Sequence, residues 1–104
     1  MIKVTKSAAD QIKLIAQQSD AEGMALRVAA KIEQDGSYEY GMGFDEPAPG
    51  DQRVHMEGVE VIVAENCADL MEDAILDYVE IEEGNKDFVF FNPHDPNHKA
   101  PKDA

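Results

Sequence analysis

Tyr38, Tyr40, Met42 and Phe44 recur with a strict period of two in "SYEYGMGF", which places four large side chains on one face of a predicted strand. The segment before it, "MALRVAAKIEQ", sets Leu26, Val28 and Ala30 against Arg27 and Lys31, so it reads as a second strand. Between the two lie Asp35 and Gly36, a pair that favours a tight hairpin because its turn needs positive φ. Further on, "RVHMEGVEVIVA" reads as two short strands hinged at Gly58, and "ILDYVEIE" and "DFVFFN" as two more joined through "EGNK". The turn-rich "DEPAPGD" separates these groups.

Two stretches have helical spacing instead. "SAADQIKLIAQQSD" repeats Ala8, Ile12, Ile15 and Ala16 on one face, with Ser7 as the expected cap and Asp10 three residues on. "ENCADLMEDA" turns Cys67, Leu70, Met71 and Ala74 inward and Asp69, Glu72 and Asp73 outward. Residues 1–4 form a short apolar strand ahead of the first helix. The order of elements predicts an α+β domain: a compact twisted β-sandwich of short, mostly antiparallel strands with an N-terminal helix and a second small helix. It does not predict a doubly wound nucleotide-binding fold, which needs longer alternating helices. The expected domain spans 1–93, and 94–104 is expected to be a disordered polar tail, because it carries prolines and no apolar anchor.

Charge changes the picture of partners. The chain of 104 residues has 22 acidic and 9 basic side chains, a formal net charge of -13. Such a surface repels phosphate backbones and anionic membranes, so the expectation is no nucleic acid and no membrane. A protein partner with a basic surface suits it better, or the charge serves simple solubility, which is the commoner reason for it. No apolar run approaches the roughly 20 residues that span a bilayer, and no signal-like start is present, so a cytoplasmic protein is expected.

Candidate chemistry is sparse. There is no glycine-rich phosphate loop and no nucleophile motif of the G-x-S-x-G type, so no catalytic residue is assigned and an enzyme is not expected. Cys67, the single cysteine, cannot form an internal disulfide, and its place on an inward helical face suggests a small buried apolar role. Asp77 stands in an otherwise apolar strand, where it can bond to backbone. His94 and His98 have a spacing that suits zinc on a helix, but Pro96 interrupts "HDPNH". His94, Asp95 and His98 are thus the candidate ligands for mononuclear iron or zinc, with Asp35 or another carboxylate, and His55 has no local spacing that brings it near them.

Several segments taken in order resemble the A-type iron–sulfur carrier family, the HesB/IscA-like proteins. They are "SAADQIK", "ALRV", "FDEP" at 44–47, "GVEVIV" at 58–63, and "ILDYVE" followed after a turn by "FVFFNP" at 88–93. The resemblance covers most of residues 1–93. It implies the family's fold and a cluster held by three cysteines, one after the "LRV"-like strand and a Cys-x-Cys pair after the Asn-Pro. Soft thiolates suit that role. In this chain the first position falls at about Asp35 and the pair at about Lys99 and Pro101. The resemblance therefore implies a retained scaffold without its cluster ligands and with no cofactor. It is similar to cysteine-depleted members encoded with sulfite reductase systems of sulfur-oxidising bacteria, which implies an accessory or regulatory protein acting through protein contacts in sulfur metabolism. Loss of shared thiolates removes one reason to assemble, so a monomer is expected.

Overall fold

In the computed structural model, residues 1–96 are described. Strand β1 (Lys3–Val4) leads directly into helix α1 (Lys6–Gln18). The cap between them is Thr5, not the expected Ser7. Thr5 has the extended backbone a cap requires, and its side-chain oxygen accepts from the Ala8 N–H at 3.1 Å. Ser7 is already inside the helix, and its hydroxyl donates to the Tyr78 carbonyl at 2.9 Å. Ala8, Ala9, Ile12 and Ala16 are buried, so Ala9 replaces the half-buried Ile15 on the inner face. At the other end Asp20 takes positive φ, and the Ala21 N–H returns to the Ala16 carbonyl at 2.8 Å.

The strands that follow are β2 (Ala25–Ile32), β3 (Tyr38–Asp45), β4 (Gln52–Met56), β5 (Val59–Val63), β6 (Ile75–Glu82) and β7 (Asn85–Phe91). One sheet has the order β3-β2-β5-β4, the other β1-β6-β7. The three hairpin pairs are antiparallel, whereas β2 with β5 and β1 with β6 are parallel. The expected α+β sandwich is what the chain forms. Its core joins Ile2, Val4, Ala8, Ala9 and Ile12 to Leu26, Val28, Val61, Val63, Met71 and Leu76. The predicted alternation holds: Leu26, Val28 and Ala30 are buried, and Tyr38, Tyr40 and Phe44 pack against the core from β3. Met42, on the same face, is 38% exposed.

Two local expectations differ from the structure. Ile32 pairs with Tyr38, so residues 33–37 form a longer loop than a tight hairpin allows. Gly36 alone there has positive φ, and its N–H donates to the Glu33 carbonyl at 2.9 Å. The tight turn with two positive φ values lies at Glu57 and Gly58, between the last paired residues Met56 and Val59. The second difference is the small helix, which is one 3-10 turn (Glu65–Cys67) continued by further turns. Asp73 adopts positive φ and reverses the chain into β6, which stops regular helix propagation. Met71 and Ala74 are buried as expected, while Cys67 and Leu70 are half-buried.

Candidate functional site

Phe90 of β7 and Tyr40 of β3 stack across the two sheets, with ring centroids 4.7 Å apart and planes 16° from parallel. Tyr40 then donates its hydroxyl proton to Asp95 Oδ2 at 2.8 Å. Burial, followed by the adjacent Asp95 carboxylate, pushes the Tyr40 phenol well above its ordinary value, so it stays a donor. Asn92 fixes the turn that carries Asp95. Its amide nitrogen donates to the Leu70 carbonyl at 2.7 Å, and its oxygen accepts from the His94 N–H at 3.0 Å. The Asp95 N–H closes the turn on the Asn92 carbonyl at 3.1 Å. Residues 94–96 of the expected tail therefore leave β7 through a hydrogen-bonded turn; 97–104 lie outside the described residues.

The sequence-derived candidates distribute as follows. Asp35 sits in the loop before β3, where its carboxylate accepts from the Ser37 hydroxyl at 2.6 Å and the Ser37 N–H at 2.9 Å. The Ser37 hydroxyl, with the amide, holds Asp35 below the usual carboxylate range. His94 is exposed, and Asp95 is engaged by Tyr40. His98, Lys99 and Pro101 lie outside the described residues. His55, on β4, approaches Glu60 at 3.5 Å instead of the His94 turn. Among the described residues, no group of three or more His, Cys, Asp or Glu is arranged to hold a metal ion. Asp77 bonds to its own neighbour's Tyr78 N–H at 2.8 Å and accepts from the Thr5 hydroxyl at 2.6 Å. It ties the helix cap to β6.

Cys67 faces a shallow concavity with Ala29, Lys31, Glu39 and Tyr40, and its thiol donates to Asn66 Oδ1 at 3.5 Å. Lys31 there lies 3.7 Å from Glu33 and 3.6 Å from Glu39. A hydrogen bond with Glu39 pushes Glu33 up. At the other end of the same sheet face, Arg27 donates to Asp45 at 2.7 Å and to both Asp51 oxygens at 3.0 and 2.7 Å. That fork pulls Asp51 down to about 2 and fastens the loop between β3 and β4.

Sequence reading missed Asn92 and Tyr40 as partners of the 92–96 turn. Tyr40 was visible only as one more inward aromatic, and Asn92 only as part of the Asn-Pro ending. Neither carries a local mark of a contact between residues so far apart in the chain.

A helix laid against two mixed sheets, with the chain after the last strand turned back onto β3, defines a small α+β scaffold. The chain belongs to the HesB/IscA/ErpA-like iron–sulfur cluster assembly family of A-type carriers. It is 35% identical over 94 residues to the iron–sulfur cluster insertion protein ErpA of Pseudoalteromonas translucida, covering 89% of this chain and 83% of that one. An Aquifex aeolicus protein is 32% identical over 80 residues, 76% of this chain and 69% of the other. Among solved structures, IscA with the [2Fe-2S] cluster matches with a TM-score of 0.76 at 25% identity, over 89% and 86% of the two chains. Escherichia coli SufA, involved in biosynthesis of iron–sulfur clusters, has the same fold, with a TM-score of 0.76 at 22% identity over 99% and 90%. No family model matches the chain. Among the described residues, no helix is long and apolar enough to cross a membrane.

Proposed function

We propose that this chain is an A-type scaffold that does not carry a cluster and acts through protein contacts, as an accessory or regulatory factor in sulfur metabolism. The observation that carries the reading is the donor set: one cysteine in 104 residues. A cluster needs several soft thiolates, and neither a lysine nor a proline replaces one. Asp35, at the first ligand position that the resemblance implies, is a hard oxygen donor already committed to Ser37. Cys67 sits on the 3-10 turn and not on either ligand segment. The residues therefore do not fit the cargo that the family name describes. The acidic charge supports a cationic protein partner, which it would steer during encounter. Placement in sulfur oxidation rests on the likeness to cysteine-depleted, DsrR-like members. The protein is proposed to be a cytoplasmic, non-catalytic monomer.

Anaerobic reconstitution with iron and sulfide tests this reading. The expected visible spectrum has no charge-transfer bands after desalting. Stoichiometric iron and sulfide retained with such bands would overturn it.

A further inference from the structure

Two strand edges meet at one groove. Among the described residues β3 pairs on one side with β2 and β7 on one side with β6, leaving both as outer strands. Between them runs a groove of about 530 Å³ lined by Tyr40, Gly41, Met42, Asp87, Phe88 and Phe90. Its walls are aromatic and apolar, and Met42 is exposed beside it. An open strand edge with backbone donors and acceptors is a template for another extended chain.

The composition of β3 at that edge is unusual for a strand. Gly41 and Gly43 have no positive φ, and a Cβ added at either meets no atom within 4 Å. Neither the backbone nor packing inside the chain requires glycine there, although glycine weakens a strand interior. Both glycines share the solvent face of β3 with Glu39 and Asp45, opposite the aromatic wall, so that side of the edge is bare of large side chains.

Charge selects the occupant. Asp87 accepts only from the Phe88 N–H among its described contacts, at 2.8 Å, and no ion pair within the described residues neutralises it. A second copy is a poor fit, because each copy brings a net charge of -13.

We infer that the groove between β3 and β7 docks an extended, lysine- or arginine-bearing segment of a partner protein, which adds to the edge of β3 that is unpaired among the described residues. This rests on the proposed role in protein contacts and names the surface and the kind of segment it takes.

The test is a nitrogen-15 NMR titration of the full chain with a capped alternating Lys-Val octapeptide, its backbone N-methylated analogue and a Glu-Val counterpart. Saturable shifts are expected from the Lys-Val peptide, confined to β3 and β7. The other two peptides are expected to produce none. Asp87→Lys, which reverses the charge on the groove wall, is expected to keep its thermal stability and lose about tenfold or more in affinity. Shifts mapping elsewhere, equal binding of the N-methylated or acidic peptide, unchanged affinity of the folded variant, or no saturable shift at all would each overturn the inference. If that variant does not fold, Asp87→Asn supplies the same comparison. The same wild-type sample is reconstituted with iron and sulfide. A retained cluster overturns the cluster-free reading whatever the peptide does, and absence of binding without a cluster overturns the groove alone.

Discussion

Asn92 is fully buried, and both ends of its amide are used, on Leu70 and on His94. Removing it would leave the Leu70 carbonyl without that donor, which is why a polar side chain persists inside the core. The sequence marks it only as the residue before a proline, so its burial was not legible. Arg27 was legible as an outward strand residue, but its two carboxylate partners are Asp45 at the end of β3 and Asp51 in the loop after it, and no local spacing announces them. Asp51 gives the sharpest test at this scale. Its folded value of about 2 lies below the ordinary 3.8, so the stability from its ionised form is present above 3.8 and is lost as pH falls towards 2. Asp51 Oδ2 also accepts from the Ala48 N–H at 2.8 Å. The Ala48 amide resonance should therefore titrate with a midpoint near 2. In Arg27→Met that midpoint should rise towards 3.8; a wild-type midpoint already there would refute the fork.

At the scale of elements, what periodicity predicted best was the strands whose two faces differ most. β3 shows its pattern because Tyr38, Tyr40 and Phe44 meet the core while Glu39 and Asp45 meet solvent. The stretch around Cys67 carried helical spacing as well, yet the chain makes only a 3-10 turn and a string of turns there. Burying Met71 and Ala74 satisfies the same spacing without a regular helix. The cap of α1 was misplaced by two residues for a related reason. Thr5 and Ser7 are both good caps locally, and the choice is made by Asp77 on β6, which binds the Thr5 hydroxyl at 2.6 Å. Thr5→Ala should accordingly destabilise the protein by about 1–2 kcal/mol in urea unfolding, since both the cap and the link to β6 go. Thr5→Ser should recover most of that loss. Equal stability of wild type and Thr5→Ala would mean that Ser7 caps the helix after all.

For the whole molecule the dominant quantity is charge. A net charge of -13 is spread over a body of 38 × 36 × 22 Å, so most carboxylates have like neighbours within a few ångströms to tens of ångströms. Among the described residues the ion pairs are local, as in Arg27 with Asp45 and Asp51, Arg53 with Glu60, Lys31 with Glu33 and Glu39, Lys6 with Asp10 and the N-terminus with Glu72. They do not offset repulsion across the surface, which opposes the compact state because unfolding moves the charges apart. Salt acts on these two terms differently. At about 0.1 M the screening length is about 10 Å, shorter than any dimension of the molecule, so repulsion between faces is cut. A bidentate pair such as Arg27 with Asp51, whose carboxylate is 5% exposed, is screened far less. Repulsion therefore loses more than attraction does, and added sodium chloride should raise the melting temperature. A relief of about 1 kcal/mol corresponds to a rise of about 4–8 °C for a domain of this size. Calorimetric scans from low salt to about 0.15 M would show it. A melting temperature that fell with salt would mean that attractive pairs, and not the excess of carboxylates, govern the stability of this scaffold.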